Sequence, residues 1–298
     1  MEPENNPNHR FGFVAVTGRP NVGKSTIVNR IIGRELSIVT PKAQTTRHRI
    51  TAIHTLPQVQ IVLVDTPGFH NPKSLLNHSM MSAALMTLEQ ADLILFVTTT
   101  ESEIPEDDLG MIDIIRSSKT KSVLAINKID LSDRSRVRGL MRNYSHMHTF
   151  QEILPISAVR GSGIKNLVQV LTRLVPIGPP LYPEDDMSDL PLRFFVAEII
   201  REQIIKMTGQ EIPYKSAVMV EAFKEEQDRV LIQADIHTER ESQKKILIGR
   251  QGAMIKQIGI AARIKLEAFL ERKVRLELFV KVTPRWTTDK SRLKELGY

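Results

Sequence analysis

No stretch of this chain limits its fold as tightly as Gly18-Arg19-Pro20-Asn21-Val22-Gly23-Lys24-Ser25, which fits the pattern G-x-x-x-x-G-K-[ST]. The spacing follows from what such a loop must do. Its glycines let consecutive backbone N–H groups turn inward around phosphate oxygens, Lys24 reaches the outer phosphates, and the Ser25 hydroxyl can face a divalent cation. A helix opening at Lys24, with Thr26 in its first turn, adds its positive end. The loop works only between a strand and a helix. The sequence supplies both, in the apolar run Phe11–Val16 and the helical pattern Ser25–Ile32.

The alternation continues beyond it. Val59–Val64, Leu93–Val97, Ser122–Ile126 and Ile153–Pro155 read as buried strands, and Leu75–Leu88, Asp107–Ser117 and Ile164–Leu174 as helices. This predicts an α/β domain, a mostly parallel sheet with helices on both faces. Ligands of such sheets bind at the carboxyl ends of strands, and three more motifs fall there. Asp65-Thr66-Pro67-Gly68 follows Val59–Val64, so Asp65 would reach Mg2+ through water and the Gly68 N–H would sense a γ-phosphate. Asn127-Lys128-Ile129-Asp130 follows Ser122–Ile126. A carboxylate at Asp130 can accept from N1–H and the 2-amino group of guanine, whereas adenine would leave it unpaired. Ser157-Ala158 fits the loop whose backbone N–H meets guanine O6. Four motifs in order, each at a strand end, predict a guanine-nucleotide site.

The composition then changes. Pro176, Pro179, Pro180, Pro183 and Pro191 are mixed with Glu184, Asp185, Asp186 and Asp189. Proline removes donors and blocks helices, so the stretch reads as a solvated linker. The expected division is a nucleotide-binding domain over 1–175, a linker over 176–191 and a second domain over 192–298. In the second domain a helix (Phe194–Met207), two strands (Ser216–Phe223, Arg229–His237), two helices around Gly249–Gly252 and a last strand (Val274–Val282) predict a smaller α+β fold. Charge suggests its partner. The chain is net +7, and Arg240–Arg275 alone holds ten basic residues against three acidic ones, which suits a polyanion. Inside that block, Ile248-Gly249-Arg250-Gln251-Gly252 looks like the I-G-x-x-G signature of a type II KH domain, whose loop clamps about four nucleotides. Lys244, Lys245, Ile248, Gly249, Arg250, Gln251, Gly252 and Lys256 are the candidate RNA-binding residues. With no helix-turn-helix, zinc or basic-zipper pattern, single-stranded RNA fits better than duplex DNA.

On these residues the whole chain resembles the Era-type GTPases of bacteria. The likeness is carried by Gly18–Ser25 (GRPNVGKS), Lys42–Arg49 (KAQTTRHR), Asp65–Phe69 (DTPGF), Asn127–Asp130 (NKID) and the I-G-x-x-G loop, and it runs to the C-terminal end. It implies a phosphate-loop GTPase domain followed by a type II KH domain. It implies a GTP-hydrolysing switch, using GTP/GDP and Mg2+, that binds the 3′ end of small-subunit rRNA and the immature small ribosomal subunit and assists its maturation. It further implies a monomer in the cytoplasm, peripherally associated with the inner face of the membrane, although no residue argues separately for the last. The alternative is an RNA-binding chaperone in which GTP is a structural ligand. Ser25, Asp65 and one of Thr45 and Thr46 are the expected metal ligands; spacing does not choose, and similarity to relatives with a T-T-R motif favours Thr46. Phe69 stands where many signalling GTPases place a water-orienting glutamine, so intrinsic hydrolysis should be slow. Catalysis then falls to Lys24, Thr46 and Asn21, the last through a potassium ion near the phosphates, as in related bacterial GTPases.

Composition closes off other classes. Hydrophobic residues at 41% and charged residues at 25% suit a soluble globular protein. No apolar run approaches the roughly 18–20 residues of a membrane span. The absence of cysteine excludes disulfide scaffolds, thiolate metal sites and cysteine nucleophiles. The polar stretch Met1–His9 lacks the apolar core of a secretory signal. His146 and His148 read as surface residues, Met80, Met81 and Met86 as packing residues, and Trp286 as a packing anchor.

Overall fold

In the computed structural model, which describes residues 8–42, 45–69, 75–209 and 211–298, the apolar runs of the first half pair into one six-stranded sheet. Its strands are β1 (Arg10–Thr17), β2 (Ile50–Leu56), β3 (Val59–Asp65), β4 (Leu93–Thr99), β5 (Ser122–Asn127) and β6 (Glu152–Pro155), in spatial order β2-β3-β1-β4-β5-β6. All pairs are parallel except β2 with β3. β3 and β4 flank β1, so the strand order reverses beside the Gly18–Ser25 loop, the crevice where such sheets take ligands. The helices are α1 (Lys24–Ile32), α2 (Leu75–Gln90), α3 (Glu106–Ser118), α4 (Arg134–Met147) and α5 (Ile164–Leu174). Leu88 of α2, Met111, Ile112 and Ile115 of α3, and Leu140 and Tyr144 of α4 close one cluster over Phe96 and Leu124.

Two elements escape the sequence reading. β2 mixes threonines and His54 with its apolar residues, and α4 buries only a narrow stripe, Val137, Leu140 and Tyr144, among four arginines. The proline-rich stretch also differs from expectation. The chain forms two compact units, and 176–189 belongs to the first; the second comprises Leu190–Tyr298, with Ile38–Lys42 and the start of α2 grouped with it. Far from being a solvated tether, this stretch straps the sheet. The Phe11 N–H donates to Pro176 O (3.1 Å), and Ile53 N–H donates to Met187 O (2.9 Å). Buried Gln60 accepts from the N–H groups of Leu181 and Tyr182 (3.0 Å each) and donates to Tyr182 O (2.9 Å). Tyr182 packs with Phe11 and Phe13 over Ile53, Val62 and Val64. The physical reason is the apolar sheet face formed by Ile53, Val62 and Val64, part of which Tyr182 of this stretch keeps from water.

The second unit contains α6 (Leu192–Met207), the single turn α7 (Ile212–Lys215), β7 (Ser216–Glu225), β8 (Arg229–Thr238), α8 (Glu241–Ile248), α9 (Ala253–Leu270), β9 (Lys273–Val282) and α10 (Lys290–Glu295). This is the expected α-β-β-α-α-β order. β8 is central, antiparallel to β7 and parallel to β9. Val196, Ile200 and Ile204 of α6, Leu247 of α8 and Ile258 and Leu266 of α9 pack on Ile232 and Ile236 of β8. Trp286 is fully buried, donates its indole N–H to Lys215 O (3.2 Å) and packs against Tyr298, so it is the anchor the sequence suggests. Met80 and Met81 are buried, but Met86 is exposed. His148 is a packing residue, edge-on to Phe150 and bonded to Ser122. Among the described residues no helix is long and apolar enough to cross a membrane.

Candidate functional site

The loop after β1 turns through three residues of positive φ. Gly18 has φ 142°, Asn21 φ 63° and Gly23 φ 102°. At Gly23 no side chain is possible, since a Cβ would lie 2.3 Å from the Asn127 amide nitrogen. That closeness is itself part of the site. Asn127 donates to Val22 O (2.8 Å) and accepts from the Ala158 N–H (3.0 Å), and Lys128 Nζ donates to Asn21 O (2.8 Å). The Asn127–Asp130 motif thereby ties the base end to the phosphate end. Lys24, at the first position of α1, donates to the carbonyls of Gly18 and Arg19 (3.0 Å each). Burial depresses its pKa to about 8, against the partial support of Asp65.

Three oxygens converge at the start of α1. Ser25 Oγ donates to Asp65 Oδ2 (2.7 Å) and lies 3.0 Å from Thr46 Oγ1, which is 3.5 Å from the same carboxylate oxygen. Asp65 is fully buried, so its pKa is raised by desolvation, and its Oδ1 has no hydrogen-bond partner. A buried carboxylate with an orphaned oxygen and two hydroxyls at hand is a hard-oxygen donor set that suits Mg2+. The structure brings Thr46, rather than Thr45, into this group. Ala43 and Gln44 of the Lys42–Arg49 stretch lie outside the described residues, as does most of Met1–His9.

After Asp65, Thr66 Oγ1 donates to Val16 O (2.9 Å) and Phe69 N–H donates to Gly18 O (3.1 Å), while Pro67 and Gly68 are buried between. At the base end, Asp130 follows Ile129 in a 3-10 turn, and its pKa is lowered chiefly by a hydrogen bond from Ser157. That orienting role of Ser157 is not legible from the short Ser-Ala motif. The Ala158 N–H is engaged by Asn127, so contact with a guanine O6 requires it to be shared or released.

In the second unit Gly249–Gly252 links α8 to α9. Gly249, Gln251 and Gly252 all have positive φ, which turns the tip outward with Arg250 and Gln251 exposed. Ile248 is half-buried above Leu247. Eight of the ten basic residues of the block fall into two sets. Arg263, Lys265, Arg272 and Arg275 pair with Glu267, Glu202, Glu225 and Glu277. Lys244, Lys245, Arg250 and Lys256 form no ion pair among the described residues and surround the loop, with only Lys244 partly covered.

Comparison with known proteins agrees with both halves. Residues 13–128 match the family described as 50S ribosome-binding GTPase, and 211–287 match the KH domain family. GTPase Era of Geobacter metallireducens is 46% identical over 97% of this chain and 98% of its own, and that of Lacticaseibacillus paracasei 46% identical over 97% of each. Two solved structures superpose with TM-score 0.93 at 39% identity, covering 97% of this chain and 99% of theirs: a single-substitution variant of Aquifex aeolicus Era bound to GDP and AlF4-, and Era in complex with MgGDPNP and nucleotides 1506–1542 of 16S ribosomal RNA. The chain belongs to the Era family of GTPases.

Proposed function

We propose that this GTPase is a switch that binds single-stranded RNA at the 3′ end of small-subunit rRNA and assists maturation of the small ribosomal subunit, working as a monomer in the cytoplasm. The observation that carries the reading is the set of unpaired cations, Lys244, Lys245, Arg250 and Lys256, around the Gly249–Gly252 loop. It is supported by the similarity to an Era protein solved with MgGDPNP and an rRNA segment. The nucleotide state sets how this RNA-binding surface is presented. Nothing among the described residues supports attachment to a membrane.

In hydrolysis, Lys24 leaves the carbonyls of Gly18 and Arg19 for the β- and γ-phosphates, and the Gly18–Ser25 amides and the N-terminal end of α1 surround them. Ser25, Thr46 and Asp65 would hold Mg2+, which when bound neutralises phosphate charge. The Gly68 N–H meets the γ-phosphate, and Asp130 takes the guanine edge. Phe69 cannot orient water through its side chain, so the stabilising charge comes from elsewhere; Asn21 beside a potassium ion is the candidate. Replacing sodium by potassium at fixed ionic strength should then raise turnover in the wild type and do little in Asn21→Ala.

The deciding experiment measures binding to purified small subunits and to a 3′-end RNA with a GTP analogue and with GDP, together with turnover. The expected result is tighter binding in one nucleotide state and faster turnover with RNA or subunits. Equal binding in both states with unresponsive turnover would overturn the switch.

A further inference from the structure

Arg19 is the second residue of the phosphate loop, yet its guanidinium is committed elsewhere. Nε donates to Asp108 Oδ1 at 2.8 Å, and Nη2 lies 3.1 Å from Glu101. Asp108, in the first turn of α3, is fully buried, and its Oδ2 accepts from Thr98 Oγ1 (2.6 Å) and Tyr144 Oη (2.7 Å). One cation and two hydroxyls thus fix a carboxylate inside the domain. Buried ion pairs are poor devices for stability alone, because desolvating the charges offsets most of their attraction. What this one holds is geometry. A Cβ on Gly68 would fall 2.8 Å from Pro20 N and 2.9 Å from its Cα, so the Asp65–Gly68 turn rests directly on the residue after Arg19. Phe69 N–H bonds the carbonyl of the residue before it, Gly18.

We infer that Arg19, fixed by Asp108 with Thr98 and Tyr144, is a positioning residue for GTP hydrolysis, setting the Gly18–Pro20 backbone on which the γ-phosphate-sensing turn closes. The inference rests on the assignment of Gly68 to the γ-phosphate. It also removes Arg19 as an internal arginine finger, since its charge is already engaged.

The test uses the full chain and the variants Arg19→Ala, Arg19→Lys, Asp108→Asn and Tyr144→Phe, with kcat, KM, GTP-analogue and GDP affinities and Tm measured on each. Arg19→Ala should lower kcat about ten-fold and weaken the GTP analogue about five-fold more than GDP. Arg19→Lys should recover only part of this, because an ammonium lacks the fork that spans Asp108 and Glu101. The double variant Arg19→Ala/Asp108→Asn should be no slower than the worse single one, since both break one link. Tyr144→Phe, a smaller perturbation that removes one donor, should show the same GTP-over-GDP bias even if Asp108→Asn fails to fold. An unchanged kcat in Arg19→Ala, or equal losses for GTP and GDP that track Tm, would overturn the proposal. Wild-type GDP affinity retained in Arg19→Ala would show the nucleotide site intact, so loss of the positioning role is separable from loss of the site.

Discussion

The loop Gly18–Ser25 and the loop Gly249–Gly252 both present backbone and cations to phosphate, but they differ in what surrounds them. In the first, Lys24 is buried with Gly18 and Arg19 carbonyls as partners, Arg19 is tied to Asp108, and Asn127 and Lys128 grip the loop from behind. In the second, the tip is exposed and its nearby cations have no acidic partner among the described residues. The difference follows from the ligand. A nucleotide is small and must be held in one pose for chemistry, so the site is organised before it arrives. A strand of RNA is long and flexible, and surface cations gain from releasing its counterions without fixing a single geometry. Breaking one loop should therefore give steep, ligand-specific losses, and breaking the other shallow, salt-dependent ones.

The steepest loss should follow Asp130→Asn. Exchanging the carboxylate for an amide sets an NH2 donor against the guanine 2-amino group, which loses its acceptor, and GTP affinity should fall about 100-fold while xanthosine triphosphate, with an accepting carbonyl at position 2, gains. Competition binding with the two triphosphates checks this, and unchanged GTP affinity would refute the base assignment. Next is Thr46→Ala. Its hydroxyl lies 3.0 Å from Ser25 Oγ, in the candidate metal group, so turnover and GTP-analogue affinity should drop about ten-fold with GDP affinity nearly unchanged. Thr45→Ala run in parallel should have the smaller effect; the reverse ranking would move the ligand.

The rigid loop is the more legible of the two. Gly18–Ser25, Asp65–Gly68 and Asn127–Asp130 are recognisable because each chemical role demands one residue type at one spacing, and each stands at the end of an apolar strand. The supports behind them are harder to see. Asp108 occupies a core position, in register with Met111, Ile112 and Ile115 on the buried face of α3, and a carboxylate there signals a buried partner. The partners themselves come from β4, α4 and the phosphate loop, and no local pattern joins them. The strap escapes the sequence reading for a related reason. Proline and acidic content predict solvation, but whether such a stretch packs on a sheet face depends on how the strands bring Phe11, Phe13, Ile53, Val62 and Val64 together, which is a property of the whole fold. The exposed loop is legible only through charge and the I-G-x-x-G spacing. Which of the ten basic residues of Arg240–Arg275 are paired emerges from the placement of Glu202, Glu225, Glu267 and Glu277.

A pH titration sharpens the contrast at the buried lysine. With the Lys24 pKa near 8 in the folded chain, the ammonium predominates below that pH and the amine above it. Phosphate favours the ammonium and raises the pKa in the complex. Nucleotide binding should therefore take up protons above pH 8, and affinity should fall as pH rises, by at most about ten-fold per unit. Calorimetry in buffers of different ionisation enthalpy counts the protons, and inorganic triphosphate as ligand removes the titration of the base. A pH-independent affinity from about one unit below that pKa to about one unit above it would mean that Lys24 stays charged despite its burial.

The smallest effects belong to the exposed loop, where they must be read from salt dependence rather than from single affinities. Alanine at Lys244, Lys245, Arg250 or Lys256 should each weaken a 3′-end RNA by roughly two- to five-fold, and lower the slope of log affinity against log salt by less than about one. Aspartate at Gly249 or Gly252 is the poorer probe, since both residues have positive φ and the change would add backbone strain to charge repulsion. The informative control is a cation of the same block that already has a partner. Lys265 lies 2.6 Å from the buried Glu202, so Lys265→Ala should lower Tm by weakening the hold on that carboxylate yet leave the salt slope unchanged. Equal slopes for Lys256→Ala and Lys265→Ala would show that pairing does not sort these cations. The RNA surface would then have to be sought on the paired face of the block.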